Sequence, residues 1–158
     1  GYSYSYIYKM KITILRFFTV YGPFGRPDMS LFKFVKAIEE NKELKLNNYG
    51  NHERDFTYVN DVTLILRKIM KKSSIEKIPF QLFNVCSNKP VKLKKYVNLI
   101  EKQLNKKTKY KKLQLQIGDI KKTHGDNKEL EKKIGKIKFT KIEDGIKEFV
   151  NWYKEYFN

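Results

Sequence analysis

The sequence predicts an α/β fold with short mixed strands and about five helices. Two apolar segments rich in β-branched and aromatic residues, 12–18 and 81–86, are typical of strands. Between and after them, apolar residues recur at helical spacing, as in 62–69 and 93–104. Short strands that alternate with amphipathic helices indicate an α/β domain. With 158 residues and no linker or internal repeat, we expect a single domain over 1–158.

The elements follow from apolar periodicity and turn residues, taken in chain order. The strand 12–18 runs into a Tyr-Gly-Pro turn and then a Gly-Arg-Pro-Asp turn, which opens a helix. The remaining expected elements are a helix at 29–41, a short apolar segment at 44–46, a polar turn at 47–52, an extended segment at 54–59, a helix with Asp61 as N-cap, a loop at 71–77, a strand at 81–86 and a helix at 91–105.

The last third of the chain carries weaker signals. Residues 113–117 are expected to be extended and to stop at Gly118-Asp119. Asp126 is expected to cap a short helix that ends before Gly135. A final helix at 142–156 places an aromatic stripe on one side, which predicts a core face; the stripe consists of Ile146, Phe149, Trp152, Tyr153 and Tyr156.

The net charge of +17 raises the question of a nucleic-acid partner. Only four of the 34 basic residues are Arg, the side chain that makes bidentate contacts to bases and phosphates. The lysines are spread over every amphipathic segment, so we interpret them as solvated faces and expect no nucleic acid. No apolar run approaches the ~20 residues of a membrane span, and no membrane association is expected.

The single cysteine, Cys86, excludes an internal disulfide and fits a reducing cytoplasm. It ends the predicted strand 81–86, which predicts a buried and inert thiol. The first ten residues lack the features of a signal peptide, so nothing indicates export. His52 and His124 are the only histidines, and without a His/Cys cluster no metal site is expected.

No self-contained catalytic apparatus is visible. The sequence contains no Gly-x-Ser-x-Gly elbow and no P-loop. Gly22 and Gly25 have the first spacing of a dinucleotide fingerprint, but Asp28 stands at the third position. No Tyr is followed by a Lys four residues later.

Three arginines are candidates for anion binding. Arg26 lies in a loop stiffened by Gly25 and Pro27, which favours a ligand role. Arg54 either pairs with Asp55 or another Asp, or binds a phosphate. Arg16 ends a strand and is expected to pair with a carboxylate. Asp119 either accepts hydrogen bonds from a ribose or caps a turn, and the sequence does not decide between the two.

Several motifs together resemble a known family. They are the segments RFFTVYGPFGRPDM at 16–29, RDFTYVND at 54–61, FNV at 83–85, QIGD at 116–119 and the closing stretch 145–153. Over 12–157 the chain resembles the UDP-glucuronate 4-epimerases, which belong to the extended short-chain dehydrogenase/reductase (NAD-dependent epimerase/dehydratase) family. The implied fold is the C-terminal part of a Rossmann-type epimerase with its substrate-binding subdomain.

The resemblance implies a reaction and a set of contacts. NAD oxidises the sugar at C4, the 4-keto intermediate rotates, and the hydride returns, which interconverts UDP-glucuronate and UDP-galacturonate. Family members are commonly homodimers. By resemblance, Thr19 and Arg26 hold the glucuronate and its carboxylate, Arg54 grips the UDP diphosphate, Phe56 and Asp119 lie near the nucleotide, Leu46 and Asn47 lie beside the uracil, and Phe17 and Val20 lie near the nicotinamide.

The chain departs from the family pattern in what it omits. The Gly-rich NAD loop, the catalytic Ser/Thr and the Tyr-x-x-x-Lys pair precede the matching segment in the family, and this chain begins just after them. The resemblance therefore implies a substrate-binding portion whose partner is a missing N-terminal NAD-binding half, with no catalytic residue of its own. Residues 2–6 would continue the helix that carries the catalytic pair. Phe24 and Ile117 replace the usual Trp and Pro.

Three alternatives stay open at the level of sequence. A 4,6-dehydratase or decarboxylase of the same family usually has Asn at the position of Thr19. A non-catalytic basic binding module would use the lysine excess. An inactive fragment, marginally stable because its strands and helices lack their neighbours, is the third.

Overall fold

The computed structural model describes residues 1–157 and has a mixed α/β architecture. Among these residues, no helix combines the length and the apolar character of a membrane span. The elements are α1 (Tyr2–Tyr8), β1 (Ile12–Phe17), β2 (Thr19–Tyr21), α2 (Ser30–Glu39), β3 (Leu44–Leu46), a 3-10 turn (Asn47–Gly50), β4 (Glu53–Tyr58), α3 (Val59–Ile69), β5 (Phe80–Val85), β6 (Pro90–Lys92), α4 (Leu93–Leu104), β7 (Tyr110–Lys112), α5 (Lys128–Ile134) and α6 (Ile142–Phe157).

The strands form three small sheets. β1 pairs in parallel with β5, β3 pairs in parallel with β7, and β4 lies between β2 and β6. β2 is parallel to β4, with Thr19 opposite Phe56, whereas β6 is antiparallel to it, with Pro90 opposite Asp55. β4 is thus the strand with two neighbours, and β2 and β6 flank the residues at its centre.

Two apolar clusters cover these sheets. The larger one joins the buried faces of α2, α4 and α6 to β2, β3 and β4. The smaller one packs α3 and α5 against β5, with β1 at its margin. Each long helix contributes residues at helical spacing; in α2 they are Leu31, Phe34, Val35 and Ile38. The two clusters together bury one side of each long helix.

The predicted α/β class and most of the elements are confirmed. The predicted helices at 29–41, 91–105 and 142–156 are present as Ser30–Glu39, Leu93–Leu104 and Ile142–Phe157. The predicted strands and extended segment at 12–18, 54–59 and 81–86 are present as Ile12–Phe17, Glu53–Tyr58 and Phe80–Val85. The helix expected by resemblance at the N-terminus is present as α1. In the last helix, Tyr153 is buried as expected, but Tyr156 is 67% exposed, so its placement in the core was wrong.

The helix after β4 begins earlier than predicted. Asp61 is not its N-cap, because β4 passes directly into α3 and the helix begins at Val59. Asp61 lies instead in the first turn and is buried. Its two carboxylate oxygens accept hydrogen bonds from the backbone N–H and the hydroxyl of Thr140, both at 2.9 Å. The carboxylate therefore connects α3 to the segment before α6.

The predicted extended segment at 113–117 is also wrong, since the strand lies at Tyr110–Lys112. A buried carboxylate explains the position: Glu101 on α4 accepts hydrogen bonds from the backbone N–H of Thr108 and from the Tyr110 hydroxyl. These contacts fix the chain beside β3, where Tyr110 pairs with Leu44. A lysine-rich strand of three residues has no apolar alternation that a sequence could display.

The short helix α5 does end before Gly135, but its N-cap is Asn127 and not Asp126. Asp126 lies one residue earlier and accepts a hydrogen bond from the backbone N–H of Lys128 at 2.9 Å. The three residues of β6 were not predicted. Pro90 is accommodated there because β6 lies at the edge of its sheet.

Asp55 on β4 is buried and connects three segments. Its Oδ1 accepts hydrogen bonds from the backbone N–H and the hydroxyl of Ser87, at 2.9 and 2.7 Å. Its Oδ2 accepts one from the backbone N–H of Gly125 at 3.2 Å. The loop after β5 and the loop before α5 are thereby attached to the centre of β4.

We predict that Asp55→Ala lowers the free energy of unfolding by about 3 kcal/mol, because it leaves buried donors of Ser87 and Gly125 without an acceptor. Urea denaturation followed by circular dichroism measures the change. Asp144→Ala, an exposed aspartate on α6, is the control and is expected to cost less than about 1 kcal/mol. Equal losses for the two variants would contradict the role given to Asp55.

Candidate functional site

The loop between β2 and α2 forms one wall of a cavity that also borders β4 and α4. It begins at Gly22, whose φ is +142°, and a Cβ on Gly22 would lie 2.5 Å from Val59 Cγ1. Only glycine allows this approach, so the chain turns sharply at the end of β2. The loop then extends to Arg26 and into α2. The cavity under it has a volume of about 360 Å³, within the range of small-molecule sites.

Four of the predicted site residues line this cavity. They are Thr19, Val20, Arg26 and Phe56. Thr19 and Phe56 are register partners on β2 and β4, so they meet because the two strands pair. Arg26 approaches from the loop. These site residues lie on β2, on β4 and in the loop between β2 and α2. The structure brings them to a single cavity.

Aromatic rings form the floor of the cavity. Phe56 stacks on Tyr96 with ring centroids 4.1 Å apart and an interplanar angle of 5°, and Tyr21 packs edge-on against both. The hydroxyls of Tyr21 and Tyr96 are buried and have no hydrogen-bond partner among residues 1–157. Burial raises the pKa of both tyrosines, so the hydroxyls stay neutral and can donate.

Arg26 is exposed and has a local partner. Its Nε and Nη2 donate to the two carboxylate oxygens of Asp28, at 3.0 and 2.5 Å. The hydrogen bond from Arg26 lowers the pKa of Asp28, and the same bond raises the pKa of Arg26. Ion pairs this exposed contribute little to stability. The guanidinium can therefore exchange Asp28 for another anion at low cost.

A second group of predicted residues meets at the start of β4. Arg54 Nη2 lies 3.2 Å from Asp119 Oδ1, and Arg54 Nη1 donates to the carbonyl of Glu53 at 3.0 Å. Of the two carboxylate partners considered, the structure has a distant Asp, while Asp55 is committed to Ser87 and Gly125. Asp119 also ends a turn, because its backbone N–H donates to the carbonyl of Gln116 at 3.1 Å.

His52 joins this second group, and sequence reasoning missed it. Its ring is buried, and Nε2 lies 3.1 Å from Asp119 Oδ2. We call His52, Arg54 and Asp119 the basic–acid cluster. His52 lies two residues before Arg54, and in an extended chain residues two apart share one face. This spacing was the only local signal for His52. Tyr21 and Tyr96 were missed as well, and for Tyr96 no local signal exists, because α4 reaches the cavity only in the folded chain.

The cavity and the basic–acid cluster lie along one strand. Arg54 and Phe56 are two residues apart on β4 and share a face, which separates their Cα atoms by about 7 Å. A ligand that is anionic at one end and fills the cavity at the other would span this distance. The alternation of β4 thus connects the two parts of the candidate site.

The other predicted residues lie outside the cavity. Leu46 is 4% exposed and belongs to the larger apolar cluster, and Asn47 is half-buried at the start of the 3-10 turn. Phe17 is 49% exposed at the end of β1. The carboxylate partner expected for Arg16 was wrong, since Arg16 is exposed and forms no ion pair with any residue in 1–157.

Cys86 is fully buried, as predicted, and burial raises the pKa of its thiol to about 11, with the Asp55 carboxylate adding to the shift. A neutral buried thiol is a poor nucleophile. Over the described part of the chain, no group of three or more His, Cys, Asp or Glu side chains is arranged to hold a metal ion.

Comparison with known proteins identifies related sequences and folds. The model of the NAD dependent epimerase/dehydratase family matches residues 2–86. An uncharacterized protein of Methanocaldococcus jannaschii is 47% identical over 152 residues, which are 96% of this chain and 45% of the relative. The UDP-glucuronate 4-epimerase of Thermodesulfobacterium geofontis is 36% identical over 98% of this chain and 47% of the relative.

Among solved structures, the UDP-glucuronic acid 4-epimerase from Bacillus cereus, in complex with UDP-glucuronic acid and NAD, superimposes with a TM-score of 0.88. The two chains are 25% identical, and the match covers 97% of this chain and 48% of that one. The chain therefore spans about half the length of the relatives it matches.

We predict that Cys86 in the folded chain reacts with iodoacetamide at pH 8 at least about 100-fold more slowly than in urea, because the thiol is buried and its raised pKa keeps it neutral there. The contribution of the pKa disappears as the pH rises through about 11. Mass spectrometry of quenched samples follows the modification. Equal rates in buffer and in urea would contradict the assignment.

Proposed function

Because the chain belongs to the NAD dependent epimerase/dehydratase family, we propose that it is the substrate-binding portion of a nucleotide-sugar epimerase that interconverts UDP-glucuronate and UDP-galacturonate. The observation that carries the proposal is the arrangement along β4. A sugar-sized cavity with Thr19 and Arg26 on its wall adjoins a guanidinium at Arg54. A cavity with one guanidinium on its wall and a second guanidinium beside it suits a sugar acid joined to a diphosphate.

Arg26 is the proposed determinant of the sugar acid. A planar guanidinium makes two parallel hydrogen bonds to a carboxylate, as it already does to Asp28. A neutral hexose offers no anionic partner there, so it gains nothing from Arg26. The Thr19 hydroxyl, on the same cavity wall, is the proposed second contact to the sugar.

The nucleotide end of the substrate is proposed to lie at the basic–acid cluster. Arg54 is 22% exposed and charged, which suits a phosphate contact. Asp119 carries a carboxylate that can accept from ribose hydroxyls. Leu46 precedes the 3-10 turn and Asn47 is its first residue. Backbone N–H groups of this turn donate to the carbonyls of Leu113 and Gln114, in the segment before Asp119. Of Leu46 and Asn47, Asn47 has the accessible side chain, and Leu46 supplies an apolar backing from the core.

NAD is the proposed cofactor, and this chain fits only one side of it. Val20 lines the sugar cavity and Phe17 presents a half-exposed ring at the end of β1, which suits apolar contact with a planar ring. Residues 1–157 contain no Gly-rich loop for a pyrophosphate. Bound NAD supplies hydride acceptance and return at a sugar carbon. The residues of this chain hold and orient the sugar and keep its anionic groups neutralised.

The proposed partner is an N-terminal NAD-binding half, with the length that the relatives have beyond the matched region. The exposed face of α1 supports this, because Tyr4, Tyr6, Ile7 and Tyr8 are each more than half exposed. Within 1–157, β1 pairs on one side alone, with β5. A sheet and helix that continue into another half would cover both features. The buried free thiol of Cys86 supports a reducing, cytoplasmic compartment.

We predict that Arg26→Ala weakens binding of UDP-glucuronate by about 10–100-fold and changes binding of UDP-glucose by less than about threefold, because only the uronate has a carboxylate to lose its partner. Isothermal titration calorimetry of the 158-residue chain with each nucleotide sugar measures both constants. Arg67→Ala, at an exposed arginine on α3, is the matched control. A wild-type chain with no preference for the uronate would refute the role of Arg26.

Joining the chain to a complementary half tests the activity. We predict that the N-terminal half of the M. jannaschii relative forms a complex with it on size exclusion, and that the complex with NAD interconverts the two uronates by NMR. Ile7→Glu is expected to weaken the complex, whereas Ile75→Glu, in an exposed loop, is not. A 4-keto-6-deoxy sugar or a decarboxylated product would instead indicate a dehydratase or decarboxylase. Self-association through α1 would indicate a homodimer contact.

A further inference from the structure

His52 is a buried histidine that lies beside the carboxylate of Asp119. Its side chain is 5% exposed, and Nε2 lies 3.1 Å from Asp119 Oδ2. The angle at this contact is not that of a hydrogen bond, and Nε2 has no hydrogen-bond partner among residues 1–157. The backbone around it is fixed, since its carbonyl accepts a hydrogen bond from Leu93 at the start of α4 at 2.8 Å. The second histidine, His124, is exposed, and its Nε2 lies 2.7 Å from Asn88 Oδ1.

Asp119 is in contact with two basic side chains that differ in solvent exposure. Oδ1 is met by Arg54, which is 22% exposed, and Oδ2 is met by the buried ring of His52. The turn that carries Asp119 is itself open to solvent: Ile117 is fully exposed, and Gly118 has a φ of +82° with nothing near its Cα hydrogens. Asp119 is therefore held mainly through its carboxylate and the adjoining backbone.

A phosphate bound at Arg54 creates a conflict at this carboxylate. The guanidinium must turn from Asp119 to the phosphate or share itself between two anions, which repel each other. A partly buried carboxylate that loses its arginine partner is destabilised. A second partner that stays in place relieves this cost. His52 is the side chain that can stay, because its ring is enclosed.

We propose that His52 is a positioning residue for the nucleotide end of the site: it retains Asp119 through Oδ2 and so allows Arg54 to engage a diphosphate. The inference rests on the proposed function, since it deepens the part assigned to Arg54 and Asp119. His52 touches no ligand in this scheme. It acts through Asp119, and its contribution disappears when the carboxylate is absent.

The test is a double-mutant cycle on UDP binding by the full 158-residue chain, with UDP itself as the probe and calorimetry as the measurement. His52→Leu removes the ring nitrogen and is expected to weaken binding about tenfold. His52→Gln retains an N–H donor of similar reach and is expected to stay within about threefold of wild type. In an Asp119→Asn background, His52→Leu is expected to change the affinity by less than about twofold.

Controls separate positioning from folding. His124→Leu, the same change at the exposed histidine, is expected to leave UDP affinity unchanged. Melting temperatures identify any variant that is unfolded at the assay temperature, and His52→Asn, whose shorter amide does not reach Asp119, replaces His52→Leu if that variant unfolds. Whichever of His52→Leu and His52→Asn is measured, it is expected to weaken the affinity for UDP without changing the stoichiometry of UDP binding.

Two outcomes overturn the inference alone: a His52→Leu chain that binds UDP like wild type, or a loss of the same size with and without the Asp119 carboxylate. The proposed function fails separately. A wild-type chain that binds no UDP, or binding that is unaffected by Arg54→Ala, would refute the nucleotide site itself. Tight UDP binding that depends on Arg54 but is indifferent to His52 keeps the function and rejects the positioning role.

Discussion

The buried carboxylate of Asp55 connects the centre of β4 to the two loops that follow β5 and precede α5. β4 in turn is the strand with neighbours on both sides, β2 and β6. The loop geometry on one side of this strand therefore depends on a few hydrogen bonds to a charged group, which are stronger than those between neutral groups. Cys86 lies beside this carboxylate and stays buried because the same loops close over it.

The opposite side of β4 carries the candidate site. Alternation along a strand sends Asp55 to the loops and Arg54 and Phe56 to the other face, so structural and ligand-facing roles are divided residue by residue. Phe56 has both roles, since it lines the cavity and stacks on Tyr96 in the core. The charged side chains, Arg26 and Arg54, are the more exposed ones and can exchange partners.

Both arginines proposed to meet the ligand already contact an aspartate. Asp28 holds Arg26 in solvent, where the ion pair is weak, and Asp119 holds Arg54 in a half-buried setting, where separation costs more. Because separating Arg54 from Asp119 costs more, a second partner such as His52 is useful at Asp119. Asp28 needs no such partner. The difference also means that the two anionic groups of a nucleotide sugar acid would encounter different electrostatic surroundings. The sugar end displaces a screened contact, and the diphosphate end displaces a partly desolvated one.

Thr19, Val20 and Phe56 entered as site residues only through the resemblance to a family. The sequence predicted the α/β class, the long helices and the candidate role of Arg26, because these depend on periodicity and on turn residues that act locally. It failed where distant groups decide. The strand at 110–112 is fixed by Glu101, the true partner of Arg54 is 65 residues away, and Asp61 serves Thr140 rather than its own helix. Only the tertiary structure brought Tyr96 beneath the cavity and His52 against Asp119, since burial and long-range hydrogen bonding have no signature in neighbouring residues.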